Sequence, residues 1–307
     1  RADDTQVHIG VLAKRGAIQC LKRWTPTAQY LTDCIPNRVF VILPLQFEEI
    51  YDAVARERVS FIFCNPAFYV ELEIKYGANR IVTLKNRYQE QGFTRYGGVV
   101  FTRRDRLDIR RWEDLKGKRL MGVEENSLGG WLAVWRELHD RGVNPYRYFG
   151  DLQFGETHDR VIYAVRKGSV DVGTVRTDTL ERMLGEGKIA ADEFYVIGSD
   201  HDREDTFPFQ RSTRLYPEWP LAKTKQTPDA LAKAVVRALL DMSPEDPAAV
   251  AAQCAGWTIP HNYQPVHDCL KALRVGPYRD LGKVSLADVI RNYWRWMLTL
   301  AGLFLSM

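Results

Sequence analysis

The chain has 307 residues, of which 45% are hydrophobic and 27% charged, with a net charge of +4. That length suffices for about two domains with a sizeable core, and the charge is too mild for a nucleic-acid-binding footprint. The densest basic run, Arg103-Arg104-Asp105-Arg106 to Arg110-Arg111, is interleaved with acidic residues and reads as a solvated loop.

In chain order, the apolar run over 6–12 predicts a buried strand, and 17–31 has helical spacing. A second strand follows over 38–43, an amphipathic helix over 47–56, and a third strand over 59–63. Asn65-Pro66 closes that strand and opens a helix over 67–76. Alternating strands and helices predict a parallel sheet with helices on both faces. The pattern restarts with a strand over 96–101, then a short helix, a turn and a strand over 112–123. A helix starts at Ser127, a strand covers 151–154 and a helix 160–166. A strand over 170–174, a helix over 178–184 and a strand over 193–197 follow, and 230–240 is helical. The expectation is an α/β protein of two lobes. Residues 1–97 with 199–290 form one lobe and 98–198 the other, so the chain crosses twice and leaves a cleft between them.

The ends and the cysteines add compartment signals. Ala2 is compatible with a position just after a cleaved leader. Trp294-Arg295-Trp296 precedes an uncharged run to Met307, so 291–307 is expected to begin a transmembrane helix; the alternative is a terminal core helix. There are five cysteines and no CxxC, so a structural zinc site is not expected. Cys254 and Cys269, separated by a turn-rich stretch, could pair.

In open α/β sheets, ligands sit beyond the carboxyl ends of strands, at helix N-termini. Five turns here carry small, polar or special residues: Arg15-Gly16, Asn65-Pro66, Ser127-Leu128-Gly129-Gly130, Thr157-His158 and Arg176-Thr177. A glycine lets the backbone approach a ligand. The first turn of a helix offers unpaired N–H groups and partial positive charge, which suit an oxyanion. Ser127 adds a hydroxyl, though a Ser or Asn at this position is also an ordinary cap. His158 could donate to an anion, or bond to local backbone. Arg176 could grip an oxyanion through two N–H groups, and Thr177 could be only a cap. No catalytic elbow, HExxH, P-loop or paired-carboxylate spacing appears, so no catalytic residue and no cofactor or metal is expected.

The stretches GVLAKRG, FCNPAFYVELE, WEDLKGKRL, NSLGG, THD and VDVGTVRTDTLERM resemble the phosphate/phosphonate-type periplasmic substrate-binding proteins. The version most like this sequence is the extracytoplasmic sensor region of membrane histidine kinases of the tetrathionate-responsive kind. The stretch GWTIPHNYQPVHDCLKALRVGPY is similar to the end of those regions. The resemblance covers residues 7 to about 300 and implies a type-2 periplasmic binding fold with a two-crossing hinge. It also implies a small anionic ligand held by Ser127–Gly130 and His158, with Asn65 and Tyr69 facing the cleft. A periplasmic location, a membrane anchor and a homodimer made through a kinase region follow from it. Leu128 and Gly129 replace hydroxyls usual in phosphonate binders, and Thr177 stands where an acidic residue often meets the ligand's amine. An anion without an ammonium group, such as a sulfur oxyanion, is therefore expected. Cys64, beside Asn65, could exchange with a sulfur–sulfur bond; a buried, inert thiol is the alternative. A transporter's substrate-binding component is the second functional reading, and an enzyme on the same fold the third.

Overall fold

The computed structural model describes residues 5–198, 207–282 and Trp294. The chain runs β1 (Thr5–Leu12), α1 (Ala17–Cys34), β2 (Arg38–Leu45), α2 (Glu49–Ala55), β3 (Phe61–Phe63) and α3 (Pro66–Tyr76). It continues through β4 (Asn79–Tyr88), β5 (Gln91–Phe93), β6 (Arg95–Tyr96), β7 (Gly98–Arg103), β8 (Arg119–Gly122), α4 (Ala133–Asp140) and α5 (Pro145–Tyr148). Then come β9 (Asp151–Phe154), α6 (His158–Arg166), β10 (Val172–Arg176), α7 (Thr179–Gly185) and β11 (Phe194–Ile197). The last described elements are β12 (Tyr216–Pro217), β13 (Pro220–Lys223), α8 (Asp229–Leu240), α9 (Pro247–Ala251), β14 (Cys254–Thr258) and α10 (Gln264–Leu273).

Two main sheets result. One has the order β14-β4-β13-β3-β1-β2, with β5 paired to β4; the other has the order β11-β7-β10-β8-β9. In the first, β1 pairs in parallel with β2 and β3, as the alternation predicts, but β13 and β14 join antiparallel. The second is also mixed: β8 is parallel to β9 and β10, while β7 is antiparallel to β10 and β11. The purely parallel sheet expected from the sequence is therefore corrected to two mixed ones.

The two sheets are joined by a ribbon in which β6 pairs antiparallel with β12, Tyr96 opposite Tyr216. Ser212 bonds the five-stranded sheet through the Val100 amide and the Ile197 carbonyl. Beside the ribbon, the Gly97 carbonyl accepts from the Thr177 amide at 2.9 Å and the Gly97 amide donates to Thr177 Oγ1 at 3.2 Å.

Aromatic packing fixes the cleft side of the larger sheet. Phe63 sits at 4.7 Å from Trp24, 5.3 Å from Trp219 and 5.4 Å from Trp257 between ring centroids. Such pairs add about 0.5–1.5 kcal/mol each beyond area burial. They hold Trp219, which directly follows the return crossing, against the end of β3.

All five cysteines are free, so the Cys254–Cys269 pairing is corrected: Cys254 lies in β14, and the Cys269 thiol on α10 points to the Leu132 carbonyl at 3.9 Å. The expected membrane helix over 291–307 lies, apart from Trp294, outside the described residues. Among the described residues no helix is long and apolar enough to cross a membrane.

Candidate functional site

The turn after β8 builds the centre of the site. Ser127 caps the next helix by accepting from the Gly130 amide at 3.3 Å. The amides of Trp131 and Leu132 both donate to the Ser127 carbonyl, at 2.9 and 3.0 Å. That shared acceptor widens the first turn, Leu128–Leu132, into a π-turn, a geometry often found at functional sites. It leaves the Leu128 and Gly129 amides as first-turn donors that the helix ladder cannot use. Both glycines are required by their neighbours as much as by any guest. A Cβ on Gly129 would lie 2.6 Å from Arg176 Cβ and 2.8 Å from the Tyr96 ring. A Cβ on Gly130 would lie 2.5 Å from a Val123 methyl.

His158 opens α6, capped by the neighbouring Thr157, whose hydroxyl accepts from the Arg160 amide at 3.3 Å. The His158 ring is buried, and Nδ1 accepts from the Arg176 amide at 3.4 Å. That bond assigns the proton of the neutral ring to Nε2. Burial, then the charges of Lys14 and Arg176, hold its pKa well below the ordinary histidine value. From the other sheet, Asn65 caps α3 by accepting from the Ala67 amide at 2.9 Å and reaches across to the Asn126 carbonyl at 3.5 Å.

These groups meet around a chamber of about 10 Å³ whose wall includes Lys14, Asn65, Ser127, Gly129, His158 and Arg176. Leu12, Phe47, Tyr96 and Trp219 complete it. The chamber borders a larger cavity of about 380 Å³, and both share Leu12, Lys14, Arg176 and Trp219. Five of the residues singled out from the sequence are thus brought together: Asn65, Ser127, Gly129, His158 and Arg176.

The others are placed differently. Tyr69 is buried in α3, where its hydroxyl bonds Glu73 and accepts from Arg80 at 3.0 Å, and its ring packs on Tyr263; it lines neither cavity. Leu128 points its side chain into the core, and Gly130 serves packing and the cap. Thr157 is the α6 cap, and Thr177 belongs to the ribbon bonds with Gly97. Arg176 lines the chamber, but its guanidinium is paired with Glu218, lies 3.1 Å from Asp178 and stacks over the Tyr96 ring at 4.3 Å. Burial works against its charge, and Asp178 and Glu218 overcome that. Its guanidinium is thus engaged by two protein carboxylates.

Arg15 spans the two sheets. Its guanidinium donates to Asp159 at 2.6 and 2.9 Å, at the start of α6, and to Glu186 at 2.8 Å, just past α7. It lines the larger cavity and not the inner chamber. Cys64 is buried at the end of β3, and burial pushes its thiol pKa far above the ordinary value. The structure thus gives the inert reading of this cysteine.

Sequence reasoning missed Lys14, Tyr96 and Trp219. Lys14 could have been found, because it stands beyond the carboxyl end of β1 beside Arg15. Tyr96 and Trp219 flank crossings, and nothing in their local sequence announces that.

A model of the family described as ABC transporter, phosphonate, periplasmic substrate-binding protein matches residues 9–268. The chain is 31% identical over 271 residues to the tetrathionate sensor histidine kinase of Salmonella typhimurium, covering 88% of this chain and 44% of that protein. It therefore spans less than half the length of that relative. Among solved structures, it is similar to PhnD1 from Prochlorococcus marinus in complex with methylphosphonate, with TM-score 0.70 and 12% identity over 88% of this chain and 99% of the other. It is also similar to the binding-protein component of an ABC phosphonate transporter from Pseudomonas aeruginosa, with TM-score 0.70 and 15% identity over 98% and 97% of the two chains. At these identities the likeness is one of fold.

Proposed function

Because the chain belongs to the phosphonate-type periplasmic substrate-binding proteins and has their type-2 fold, we propose that it is an extracytoplasmic sensor domain that closes on a small oxyanion. The observation that carries this reading is the chamber where the Leu128–Leu132 helix start and His158 meet Lys14 and Asn65 from the other sheet. In this reading the seven-stranded and five-stranded sheets are the two lobes, and the β6–β12 ribbon is the hinge. The Leu128 and Gly129 amides and His158 Nε2–H are neutral donors, and Lys14 is a cation, all suited to oxygen atoms of an anion. Absence of an acidic residue at Thr177 favours a ligand without an ammonium group.

The 31% identity to a tetrathionate sensor kinase favours a sulfur oxyanion and a kinase region elsewhere in the same protein. Ligand would shift the lobes only by binding the closed form more tightly than the open one. The family's description favours the second reading, delivery of the anion to a transporter. A gene continuing into a kinase domain supports the sensor, and adjacent permease genes support delivery.

A thermal-shift screen with phosphate, methylphosphonate, sulfate, thiosulfate and tetrathionate tests the site. A ligand at a hundred times its Kd stabilises the fold by about 2.7 kcal/mol. Ser127→Ala and His158→Ala are expected to weaken the best binder by about tenfold or more, one charge-assisted bond each. Unaltered affinity in both variants places the pocket elsewhere.

A further inference from the structure

The basic run over 103–111 is more firmly built than a solvated loop requires. It follows β7 and lies at the end of the five-stranded sheet away from the chamber. β8, β9 and β10 run parallel and lead into Ser127, Thr157 and Arg176 at their carboxyl ends, whereas β7 is antiparallel to β10 and ends beside Val172, where β10 begins. The Arg106 and Ile109 amides donate to the Arg103 and Arg106 carbonyls at 3.1 and 3.3 Å, which turns the chain tightly. Arg110 ties the loop together. Its guanidinium donates to the carbonyls of Arg104, Arg106 and Ile109 at 2.8, 2.8 and 2.9 Å and stacks over the Tyr195 ring at 4.2 Å. Ile109 is fully buried, yet Leu107, two residues before it, is held out at 79% exposure. One exposed leucine is ordinary; the charges that surround this one are not.

The carboxylates near it are already committed. Asp105 pairs with Arg103, Asp108 with Arg106 and Lys118, and Asp171 with Arg106 and Arg119. Arg106 holds Asp108, and Arg119 holds Asp171, well below the ordinary carboxylate range. Asp114 accepts from the Arg110 and Arg111 amides at 2.9 Å. Arg104, Arg111 and Lys116, by contrast, are exposed and have no carboxylate within ion-pair distance among the described residues. Exposed Lys167 lies at the same end, because a Cβ on its neighbour Gly168 would stand 2.8 Å from the Arg103 guanidinium. Of the acidic residues on these segments, Glu113 alone is left without such a commitment among the described residues, so four cations stand against one anion.

We propose that this end of the five-stranded half docks on an anionic phospholipid surface, with Leu107 entering the layer beneath the headgroups and Arg104, Arg111, Lys116 and Lys167 facing the phosphates. Each cation near an anionic lipid surface strengthens binding by roughly fivefold, and an apolar tip adds to this by burying carbon at the acyl boundary. Headgroups move sideways to meet spaced cations, so no groove of matching shape is needed. A protein partner needs about 1,000 Å² of complementary surface, and one apolar side chain among charges makes a poor core for it. The loop is remote from the chamber, so the proposal stands or falls apart from the oxyanion reading. Contact there holds the five-stranded half against the bilayer and leaves the cleft free to open.

Flotation of the whole chain with large vesicles tests it, with phosphatidylcholine alone set against phosphatidylcholine containing about half phosphatidylglycerol. The chain is expected to bind the anionic vesicles about tenfold or more tightly, and to lose most of that preference between about 0.05 and about 0.5 M salt. On anionic vesicles the double variant Arg104→Gln/Arg111→Gln should lose about tenfold and Leu107→Ser about threefold, with melting curves unchanged because all three side chains are exposed. Lys233→Gln/Arg237→Gln, an equal change of charge at exposed positions of α8, should bind as the parent chain does. Equal losses in the two double variants mean that net charge or another segment brings the chain to the membrane, and they overturn the proposal. Equal binding to both kinds of vesicle overturns it too. Tight binding to soluble polyglutamate with no loss in Leu107→Ser identifies an acidic protein surface as the partner and overturns the membrane.

Discussion

At the scale of single residues, His158 makes the sharpest prediction. Its folded pKa is depressed by burial first and by Lys14 and Arg176 after it. The unfolded chain takes up that proton near the ordinary pKa of about 6.5, and the folded chain resists it. The contribution to stability is therefore full above that pH and is lost on acidification, by at most about 1.4 kcal/mol per pH unit for one proton. Melting curves from pH 7.5 to 5 should show a shallower acid loss in His158→Gln than in the parent chain. Parallel curves would mean that the ring titrates normally. Gly129 gives a second test. Alanine in place of a helical glycine ordinarily gains up to about 1 kcal/mol, but here its methyl would press on Arg176 and Tyr96. Gly129→Ala should cost about 1–3 kcal/mol by denaturant unfolding. The glycines were legible as a close approach, but their neighbours were not: Val123, Arg176 and Tyr96 come from distant segments. The same limit explains Tyr69, which lies four residues past the Asn65 cap on the face of α3 that meets Tyr263.

At the scale of elements, the β1–α1 turn, the start of α6 and the end of α7 act together through Arg15. The Arg15 pair with Asp159 is part-buried and that with Glu186 exposed, and together they join the end of β1 to the five-stranded half. Removing them should favour an open arrangement by about 1 kcal/mol, roughly fivefold in population. Arg15→Gln should therefore show a larger radius of gyration by small-angle scattering without ligand, and an unchanged profile would refute the latch. The alternation from β1 to α3 was readable because buried parallel strands are short apolar runs between helices. β4, with Arg80, Lys85 and Arg87 in its sequence, offers no such run, and β13 and β14 are short strands that join antiparallel from far along the chain. Their registers depend on partners that periodicity does not reveal.

At the scale of the whole molecule, thiol chemistry checks the packing. Cys34 is exposed at the end of α1, and Cys20, Cys64, Cys254 and Cys269 are buried. One thiol should react with a disulfide reagent in the native chain and five after denaturation. Fewer than five in the denatured chain would reveal a disulfide. The two-sheet architecture followed from the interrupted pattern of strands and helices, and the resemblance added the fold's name. The ribbon of β6 and β12 was out of reach because strands of two residues leave no pattern. The position of α10 has a wider consequence. It packs on α3 from one side of the cleft and on α4 from the other, and Arg136 on α4 donates to the Asp268 carbonyl. In the proposed hinge, a rod fastened to both halves would tilt as the halves rotate, and a segment attached after residue 273 would inherit that tilt as a lever inherits the motion of its fulcrum.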